Sequence, residues 1–254
     1  MSQTYLIGVD LGTSVVKATL FDTEGVALVD AARPTALHHP GPGLAEQRGE
    51  DFVRATLDTL REVVEKADVP PTAVAAIAFA GQMAGAIAID RDWNAVTPWY
   101  PSALDNRYLP YIGPMVEAAG DRLVALNGSL PFMAPRMLWW RDQAPDVFRR
   151  IRKVLMLANY VAGQLAGLSA DDAFIDPSYL TWIGLSDTAH RAWSPELAER
   201  VDLPLDLMPR IVPATTIVGR LTASAAAACG LVAGIPRYAG QASAQPNSAW
   251  PACQ

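Results

Sequence analysis

The short segment from Asp10 to Ser14 combines an acid, a glycine and two hydroxyl side chains between two apolar, strand-like stretches. Gly12 lacks a Cβ, so its backbone can approach phosphate oxygens, and the hydroxyls of Thr13 and Ser14 can donate hydrogen bonds to them. Asp10 can hold Mg²⁺, usually through water, because this ion keeps much of its hydration shell. We therefore expect this turn, with Lys17 on the strand that follows, to bind the phosphates and metal of a nucleotide.

The same residues also fit a simpler interpretation, an ordinary β-hairpin with an acidic turn. The strand–turn–strand setting and the position of Lys17 favour the phosphate site. The segment is not a Walker loop, which needs a longer glycine loop followed by Lys-Ser or Lys-Thr and a helix. The chemistry that the turn indicates is phosphoryl transfer from a nucleotide.

The elements that must position this turn follow from the apolar patterns around it. Strands flank the turn on both sides, and a hairpin turn over 22–25 leads to a third strand over 26–29. Apolar side chains recur at helical spacing over 50–67. The next predicted elements are a loop over 31–46, a buried strand over 75–80, a small-residue junction over 81–85 and a strand over 86–90. This order indicates an α/β layer with mixed strand directions.

The middle of the chain is predicted to be helical. Helical spacing covers 111–126 and 145–165, a short helix starts within 133–140, and Gly167 is placed to cap the second long helix. A further helix is predicted over 194–201, with Ser194 as N-cap and Pro195 at its first position. A loop-and-strand region over 174–187 precedes this helix, and strands over 215–221 and 234–240 and a short helix over 222–230 follow it. Residues 241–254 show neither helical nor strand periodicity.

The composition argues against several classes of protein. The chain has 254 residues, of which 51% are hydrophobic and 18% charged, enough for one large domain or two small ones with a buried core. A net charge of −6 without a basic cluster argues against nucleic acid and anionic membranes as partners. No apolar run approaches the roughly 18 residues that span a bilayer. With no signal-peptide pattern and only Cys229 and Cys253, we expect a cytoplasmic protein.

Several segments, taken in order, resemble motifs of the FGGY carbohydrate kinases, xylulokinase-like members in particular, within the actin-like ATPase superfamily. Residues 8–14 with Lys17 resemble the first phosphate motif of that family, and Ala80-Gly-Gln-Met-Ala-Gly85 resembles its sugar-site turn. Three further matches are a loose Trp-x-Asp-x-Arg segment over 97–107, a Pro-Lys-Leu-x-Trp helix start over 135–139 and the approach to the catalytic loop over 230–240.

The resemblance implies an actin-like ATPase (ribonuclease H-like) fold, with a mixed five-stranded sheet flanked by helices and a helical insertion. It implies ATP and Mg²⁺ as cofactors and transfer of the γ-phosphoryl group to a hydroxyl of a small-molecule sugar or polyol, pentulose-like in kind. We expect residues 1–240 to form the N-terminal kinase domain and 241–254 an unpatterned tail. The second domain of the family is expected to be absent, so the partner is either that missing C-terminal domain or a second copy in a homodimer.

Two positions depart from the family pattern. Xylulose-type members carry a His after the Gln-Met pair, whereas this chain has Ala84, whose methyl group forms no hydrogen bond. The sugar is therefore left open. The family places its general base, an Asp, after the Gly-Ile-Pro-x-x-Ala-Gly strand, and Ser243 stands at or next to that position. Serine cannot accept a hydroxyl proton at neutral pH without its own base. We assign no catalytic base and expect the chain alone to be inactive or nearly so.

The resemblance assigns substrate contacts to the sugar-site turn. Gln82 would line the pocket by its amide and Met83 by van der Waals contact. Trp99 either stacks on a sugar face or packs in the interior.

Three more polar candidates each keep two interpretations. Asp105 and Arg107 take either a sugar-side or hinge role, or form a surface salt pair. Asp176 either borders the sugar in the family's Asp/Ser-rich loop or caps the turn before Pro177.

Two other functions compete with a sugar kinase domain. One is a non-catalytic module that keeps the fold and a weak polyol or phosphate site. The other is a different actin-like ATPase, such as an acetate-kinase or chaperone relative. The Gly-Gln-Met-x-Gly turn and the long helical insertion argue against this last alternative.

Overall fold

A computed structural model describes residues 3–242 of the 254-residue chain. The strands are β1 (Tyr5–Leu11), β2 (Val15–Asp22), β3 (Ala27–Pro34), β4 (Val74–Gly81), β5 (Gly85–Ile89), β6 (Tyr100–Pro101), β7 (Lys153–Leu155), β8 (Phe174–Ile175), β9 (Ser186–Asp187), β10 (Ala192–Trp193), β11 (Arg210–Ile211), β12 (Ile217–Arg220), β13 (Pro236–Tyr238) and β14 (Gln241–Ala242). The α-helices are α1 (Gly49–Ala67), α2 (Leu109–Ala119), α3 (Asp121–Asn127), α4 (Met133–Gln143), α5 (Pro145–Phe148), α6 (Leu157–Ala166), α7 (Pro195–Arg200) and α8 (Ala223–Cys229). Short 3₁₀ turns cover Pro71–Ala73, Ala170–Asp172, Pro177–Trp182 and Leu205–Leu207.

The main sheet mixes parallel and antiparallel strands. Its order is β12–β13–β4–β1–β2–β3, and β14 continues the place of β13 beside β4. The pairs β1–β2, β2–β3 and β12–β13 are antiparallel, whereas β4 runs parallel to β1, β13 and β14. The predicted α/β class with a mixed sheet is confirmed. The sheet has six strand positions where five are predicted, because β12 adds an edge strand.

One face of this sheet is covered by helices. Along β1 the buried side chains alternate with more exposed ones, and the buried set joins the hydrophobic core. Helix α1 lies across β2 and β3, while α6 lies against β4. Helix α1 turns a stripe toward the sheet that includes the fully buried Phe52, Leu60 and Val63, and each such burial contributes roughly 1.5–3 kcal/mol. The opposite face of the sheet leaves Leu6 and Val15 39% and 40% exposed.

A second sheet, ordered β6–β5–β7, carries the helical insertion. Strand β5 pairs antiparallel with both neighbours. Helices α2 to α5 lie between β6 and β7 in the chain, so the predicted helical insertion is present. Within residues 3–242 no helix combines the length and the apolar character needed to cross a membrane.

Three predicted elements are wrong in their extent. The stretch 145–165 is not one helix, because Lys153–Leu155 leaves helical geometry to pair with β5. The predicted helix over 111–126 is divided into α2 and α3 at Gly120, whose φ is 59°. Strand β3 continues to Pro34, so the loop predicted from Ala31 starts later, since β2 pairs with β3 as far as Pro34.

The local signals at helix ends are confirmed. Ser194 Oγ accepts a hydrogen bond from the Leu197 N–H at 3.2 Å, with Pro195 at the first position of α7. Gly167 ends α6 in the left-handed conformation, with φ of 64°. Residues 241–254 were the stretch without periodicity, yet Gln241 and Ala242 form β14 by pairing with β4, and residues 243–254 lie outside the described part.

A buried arginine lies between the sheet and α6. Arg237 on β13 is fully buried, its Nη1 donates to the Ala162 carbonyl at 3.3 Å, and its Nε and Nη2 have no hydrogen-bond partner within residues 3–242. Its guanidinium lies 5.2 Å from the ring centroid of Phe79. Burial lowers the pKa of Arg237 to about 9. A desolvated charge without a carboxylate partner disfavours the folded state.

We expect Arg237→Met to raise the free energy of unfolding by about 1–3 kcal/mol, because an apolar side chain of similar length replaces an unpaired buried charge. Urea unfolding at neutral pH measures the change. Arg210→Met, at an exposed arginine of β11, is the matched control and should stay within about 0.5 kcal/mol. A less stable Arg237→Met protein would show that the contacts with Phe79 and Ala162 outweigh desolvation.

Candidate functional site

The carboxyl ends of three neighbouring strands meet at one edge of the main sheet. In register, Asp10 of β1 pairs with Ala80 of β4, and Ala80 pairs with Gln241 of β14. The residue after β4 is Gln82, and its N–H donates to the Leu11 carbonyl at 3.2 Å. Because these strands are parallel, the phosphate-turn residues and the sugar-turn residues predicted from the sequence reach the same edge.

The turn between β1 and β2 is tight and accessible. The Gly12 N–H donates to the Val15 carbonyl at 3.0 Å, and a Cβ at Gly12 would come within 2.9 Å of that oxygen. Glycine is therefore required here for steric reasons. Ser14 is exposed and Thr13 is partly exposed, so both remain available to a ligand. The structure brings these predicted residues together in one turn.

Asp10 and Lys17 are cross-strand neighbours beside this turn. Both point to the face of the sheet without helices, and Asp10 is exposed. Lys17 Nζ lies 3.7 Å from Asp30 Oδ2, with half or more of each side chain exposed. A pair so exposed holds the lysine weakly, so Lys17 can exchange its partner for an anionic ligand.

The donor set around Asp10 fits Mg²⁺. This ion prefers oxygen ligands and keeps several waters, and one accessible carboxylate with nearby hydroxyls at Thr13 and Ser14 suits such a site. Residues 3–242 contain no group of three His, Cys, Asp or Glu side chains that would hold a metal alone. Asp10 would therefore share the ion with water and phosphate oxygens.

The turn over residues 82–84 lies beside the phosphate turn and is partly exposed. Trp99 Nε1 donates to Gln82 Oε1 at 3.1 Å, and the Ser102 N–H donates to the Ala84 carbonyl at 3.1 Å. Met83 is partly buried against the core. The Gln82 side chain is thus held in place by the Trp99 indole.

Of the two interpretations of Trp99, the structure fits packing in the interior rather than stacking on a sugar face. Its ring is fully buried, and a Cβ at Gly85 would lie 2.3 Å from it, so the ring occupies space that only glycine leaves. Trp99 therefore packs in the interior, and its indole N–H is the group that contacts the predicted sugar-site turn.

Sequence reasoning missed Gln47, which is fully buried between the two turns. Gln82 Nε2 donates to Gln47 Oε1 at 3.2 Å, and Gln47 Nε2 donates to the Thr13 carbonyl at 2.9 Å. Gln47 directly follows the loop predicted over 31–46, where no helical or strand pattern marks it. The available signal was a polar residue close to a run of Pro, Gly and His, which is weak.

Asp105 and Arg107 form neither a surface salt pair nor an open sugar contact. Asp105 is fully buried and binds Arg136 Nη1 at 2.7 Å, Arg107 Nη2 at 2.7 Å and the Ala45 N–H at 2.9 Å. Arg107 also binds Glu46 at 2.7 Å. Burial tends to raise the pKa of Asp105, but these hydrogen bonds and arginine charges outweigh it and lower the pKa.

Aromatic rings complete this ion-pair cluster. The guanidiniums of Arg107 and Arg136 lie 4.6 and 4.7 Å from the ring centroid of Tyr100, and Arg107 lies 5.4 Å from that of Trp139. Cation–π contacts of this kind strengthen when solvent is excluded. The cluster therefore has the character of a structural clamp that joins the segment before α1 to α4.

Asp176 caps a turn, as the second of its two interpretations proposed. It is 1% exposed, and its Oδ1 accepts from the Ser178 N–H at 2.9 Å, while its Oδ2 has no partner within residues 3–242. Burial raises the pKa of Asp176 to about 6.

The turn after Asp176 reaches the same edge of the sheet. Ser178 Oγ accepts from the Ala242 N–H at 2.8 Å, and the Tyr179 hydroxyl donates to the Gln241 carbonyl at 2.9 Å. Burial and the carboxylates of Asp176 and Asp10 raise the pKa of Tyr179 far above its usual range. Ser243, the residue at or next to the expected base position, lies outside the described residues.

Comparisons with known proteins agree with this geometry. The profile for the "FGGY family of carbohydrate kinases, N-terminal domain" matches residues 5–245. The chain is 30% identical over 247 residues to the xylulose kinase of Bacillus subtilis strain 168, covering 94% of this chain and 47% of that protein. It is 29% identical over 241 residues to the autoinducer-2 kinase of Yersinia enterocolitica, covering 91% and 44%. The chain spans about half the length of the curated relatives it matches.

The fold has close solved neighbours. The gluconate kinase from Lactobacillus acidophilus superposes with a TM-score of 0.85 at 20% identity, covering 95% of this chain and 48% of that protein. At this identity the likeness establishes the fold alone, and it is the fold expected from the sequence.

The raised pKa of Asp176 predicts a pH dependence of stability. A carboxyl group that titrates at about 6 in the folded state and near 3.8 otherwise stabilises the fold below the lower value, and that contribution is lost as the pH rises through about 6. We expect Asp176→Asn to be more stable at neutral pH by about 2–3 kcal/mol, since Asn keeps the acceptor for Ser178 and removes the buried charge. Urea unfolding across this pH range measures it.

The advantage of Asp176→Asn should vanish below pH 3.8. Asp171→Asn, at an exposed acid nearby, is the control and should show no such crossover. A wild-type protein whose stability does not fall between these pH values would contradict a buried, ionising Asp176.

We expect Asp105→Asn to destabilise the fold by about 3–5 kcal/mol, because it leaves the buried Arg136 without its carboxylate. Denaturant unfolding measures the loss. Asp30→Asn breaks the exposed pair with Lys17 and should cost under about 1 kcal/mol. Equal losses for both variants would contradict a clamp at Asp105.

Proposed function

The chain belongs to the FGGY family of carbohydrate kinases, and from that premise we propose that it supplies the sugar-side wall and part of the phosphate site of an ATP-dependent sugar or polyol kinase. The observation that carries the proposal is the contact between the two turns. Gln82 of the sugar-site turn and Thr13 of the phosphate turn are joined through one side chain, Gln47. A phosphoryl acceptor and a phosphoryl donor bound at these turns would be neighbours, as in-line transfer requires.

In the proposed function the phosphate turn binds the polyphosphate of ATP. Thr13 and Ser14 donate hydrogen bonds to its oxygens, Gly12 lets the backbone approach them, and Lys17 adds positive charge. Asp10 would hold Mg²⁺, which when bound neutralises charge on the transferring group. The residues of this chain thus orient the donor and hold its charge, which accounts for most of what a phosphotransferase must do.

The sugar-site turn binds the acceptor. Trp99 already occupies one lone pair of Gln82 Oε1, and Gln47 already occupies one hydrogen of Gln82 Nε2. One donor and one acceptor of the Gln82 amide remain for a substrate hydroxyl, and Met83 offers apolar contact beside them. With Ala84 in place of a histidine, we infer a pentulose-like sugar or polyol without assigning which one.

The domain organisation follows the same proposal. Residues 1–240 act as the N-terminal kinase domain, and the remaining contacts to the nucleotide come from a C-terminal domain like that of the longer relatives. We assign no general base within the chain. Ser243, at or next to the expected base position, favours a second candidate function, a non-catalytic sugar-binding module.

We expect the chain to bind D-xylulose or a related pentulose, and Gln82→Met to weaken that binding about tenfold, the effect of one lost hydrogen bond to a ligand. NMR titration of the labelled chain measures affinity. Gln164→Met, at an exposed glutamine of α6, is the matched control and should leave affinity unchanged. Saturable binding by no pentulose, gluconate or glycerol would contradict the sugar site.

Turnover separates the two candidate functions. Sugar-dependent formation of ADP from ATP supports the kinase. Sugar binding that is sensitive to Gln82, with no ADP formed by the chain or by the chain joined to a relative's C-terminal domain, supports the binding module.

A further inference from the structure

The side chains of Trp99, Gln82 and Gln47 and the carbonyl of Thr13 form one continuous line of hydrogen bonds, the Gln47 network. The donor–acceptor distances along it are 3.1, 3.2 and 2.9 Å. Gln47 Nε2 also lies 3.2 Å from the Ala36 carbonyl and 3.5 Å from Thr35 Oγ1, and Thr35 Oγ1 donates to the Thr13 carbonyl at 2.7 Å. The network therefore joins the sugar-site turn to the phosphate turn.

The direction of every bond in the network is fixed by its two ends. An indole N–H only donates, so Gln82 must present Oε1 to Trp99 and Nε2 to Gln47. A backbone carbonyl only accepts, so Gln47 must present Nε2 to Thr13 and Oε1 to Gln82. Neither amide can rotate by half a turn without placing like groups against each other. The face that Gln82 offers to a ligand is thus determined from both ends, by the Trp99 indole and, through Gln47, by the Thr13 carbonyl.

The position of Gln47 is itself rigid. Its backbone N–H and carbonyl pair with the carbonyl and N–H of Trp99 at 3.0 and 2.8 Å. The two preceding residues are also held, Ala45 by its N–H to Asp105 and Glu46 by its ion pair with Arg107. Because Gln47 is fully buried, water cannot replace the bonds that its amide makes.

On the basis of the proposed function, we propose that Gln47 is a positioning residue that fixes the Gln82 amide and couples occupation of the sugar site to the phosphate turn. A ligand that accepts from or donates to Gln82 polarises and shifts its amide. That shift passes through Gln47 to the carbonyl of Thr13, whose peptide group also carries the Ser14 N–H. By linkage, an anion bound at the turn acts back on Gln82 to the same extent.

Gln47→Met tests the network without any ligand. In ¹H–¹⁵N spectra of the full chain we expect the Trp99 indole signal and the Ser14 amide signal both to move, since the Gln82 amide keeps only its bond to Trp99 and the Thr13 carbonyl loses its bond from Gln47. Thr35→Val is the matched control, because it removes a second bond to Thr13 but none to Gln82. It should move the Ser14 signal and leave the Trp99 indole in place. An unmoved Trp99 indole in Gln47→Met overturns the proposal.

D-xylulose as the probe tests the coupling. In the wild type and in Thr35→Val, xylulose should shift the Ser14 amide, and in Gln47→Met that transmitted shift should be lost while signals around Met83 still respond. Transmission that survives in Gln47→Met overturns the coupling. If xylulose moves no signal in any variant, the proposed pentulose site fails, and the ligand-free comparison still decides the network.

Gln47→Glu provides a readout that packing alone would not move. A carboxylate accepts from Gln82 but cannot donate to Thr13, whereas a protonated carboxyl group does both. With inorganic pyrophosphate as the probe, its effect on the Trp99 indole should be absent at neutral pH and return as the pH falls through the pKa of this carboxyl. No return with acid would overturn the donor role of position 47. If Gln47→Met fails to fold, Gln47→Glu at neutral pH interrupts the network at the Thr13 carbonyl and must lose the same transmitted shift.

Discussion

The site depends on one buried carboxylate. Asp105 forms ion pairs with Arg136 and Arg107 and accepts a hydrogen bond from the Ala45 N–H. It therefore connects the segment before α1 to the loop after β6. In a buried ion pair, loss of either partner leaves an uncompensated charge. The segment held in this way is the one that carries Gln47. A charge cluster that no ligand can contact directly thus sets the geometry of the groups that a ligand can contact.

The sheet supplies the second constraint. Parallel pairing of β4 with β1 and β14 brings three chain positions far apart in sequence to one edge. Hydrogen bonding between strands leaves little freedom there, so the groups at the strand ends inherit the register of the sheet. The side chains that join the two turns have little access to solvent. They form amide-to-amide hydrogen bonds in place of hydrogen bonds to water. The consequence is a site whose two halves share one set of bonds.

Local patterns in the sequence predicted most of the fold and only part of the site. The alternation of apolar and polar residues predicted β1 and β2. The helix caps at Ser194 and Gly167 could be predicted because they depend on residues close in the chain. The break of the predicted helix at Lys153–Leu155 was not readable, since it arises from pairing with β5 across the fold. In the site, the resemblance located Gln82 and the phosphate turn.

Partners remote in sequence decided the remaining site residues. Whether Trp99 and Asp105 face a ligand or the interior depends on Gly85 and on Arg136, and no spacing in the sequence records those contacts. Because both side chains are buried, they hold neighbouring groups in place and do not contact a ligand themselves. Trp99 offers only an N–H, and Asp105 has its oxygens engaged by the two arginines and a backbone N–H. Under the proposed function, selection among sugar or polyol hydroxyls would fall on the free donor and acceptor of Gln82, which the neighbouring Ala84 cannot supplement.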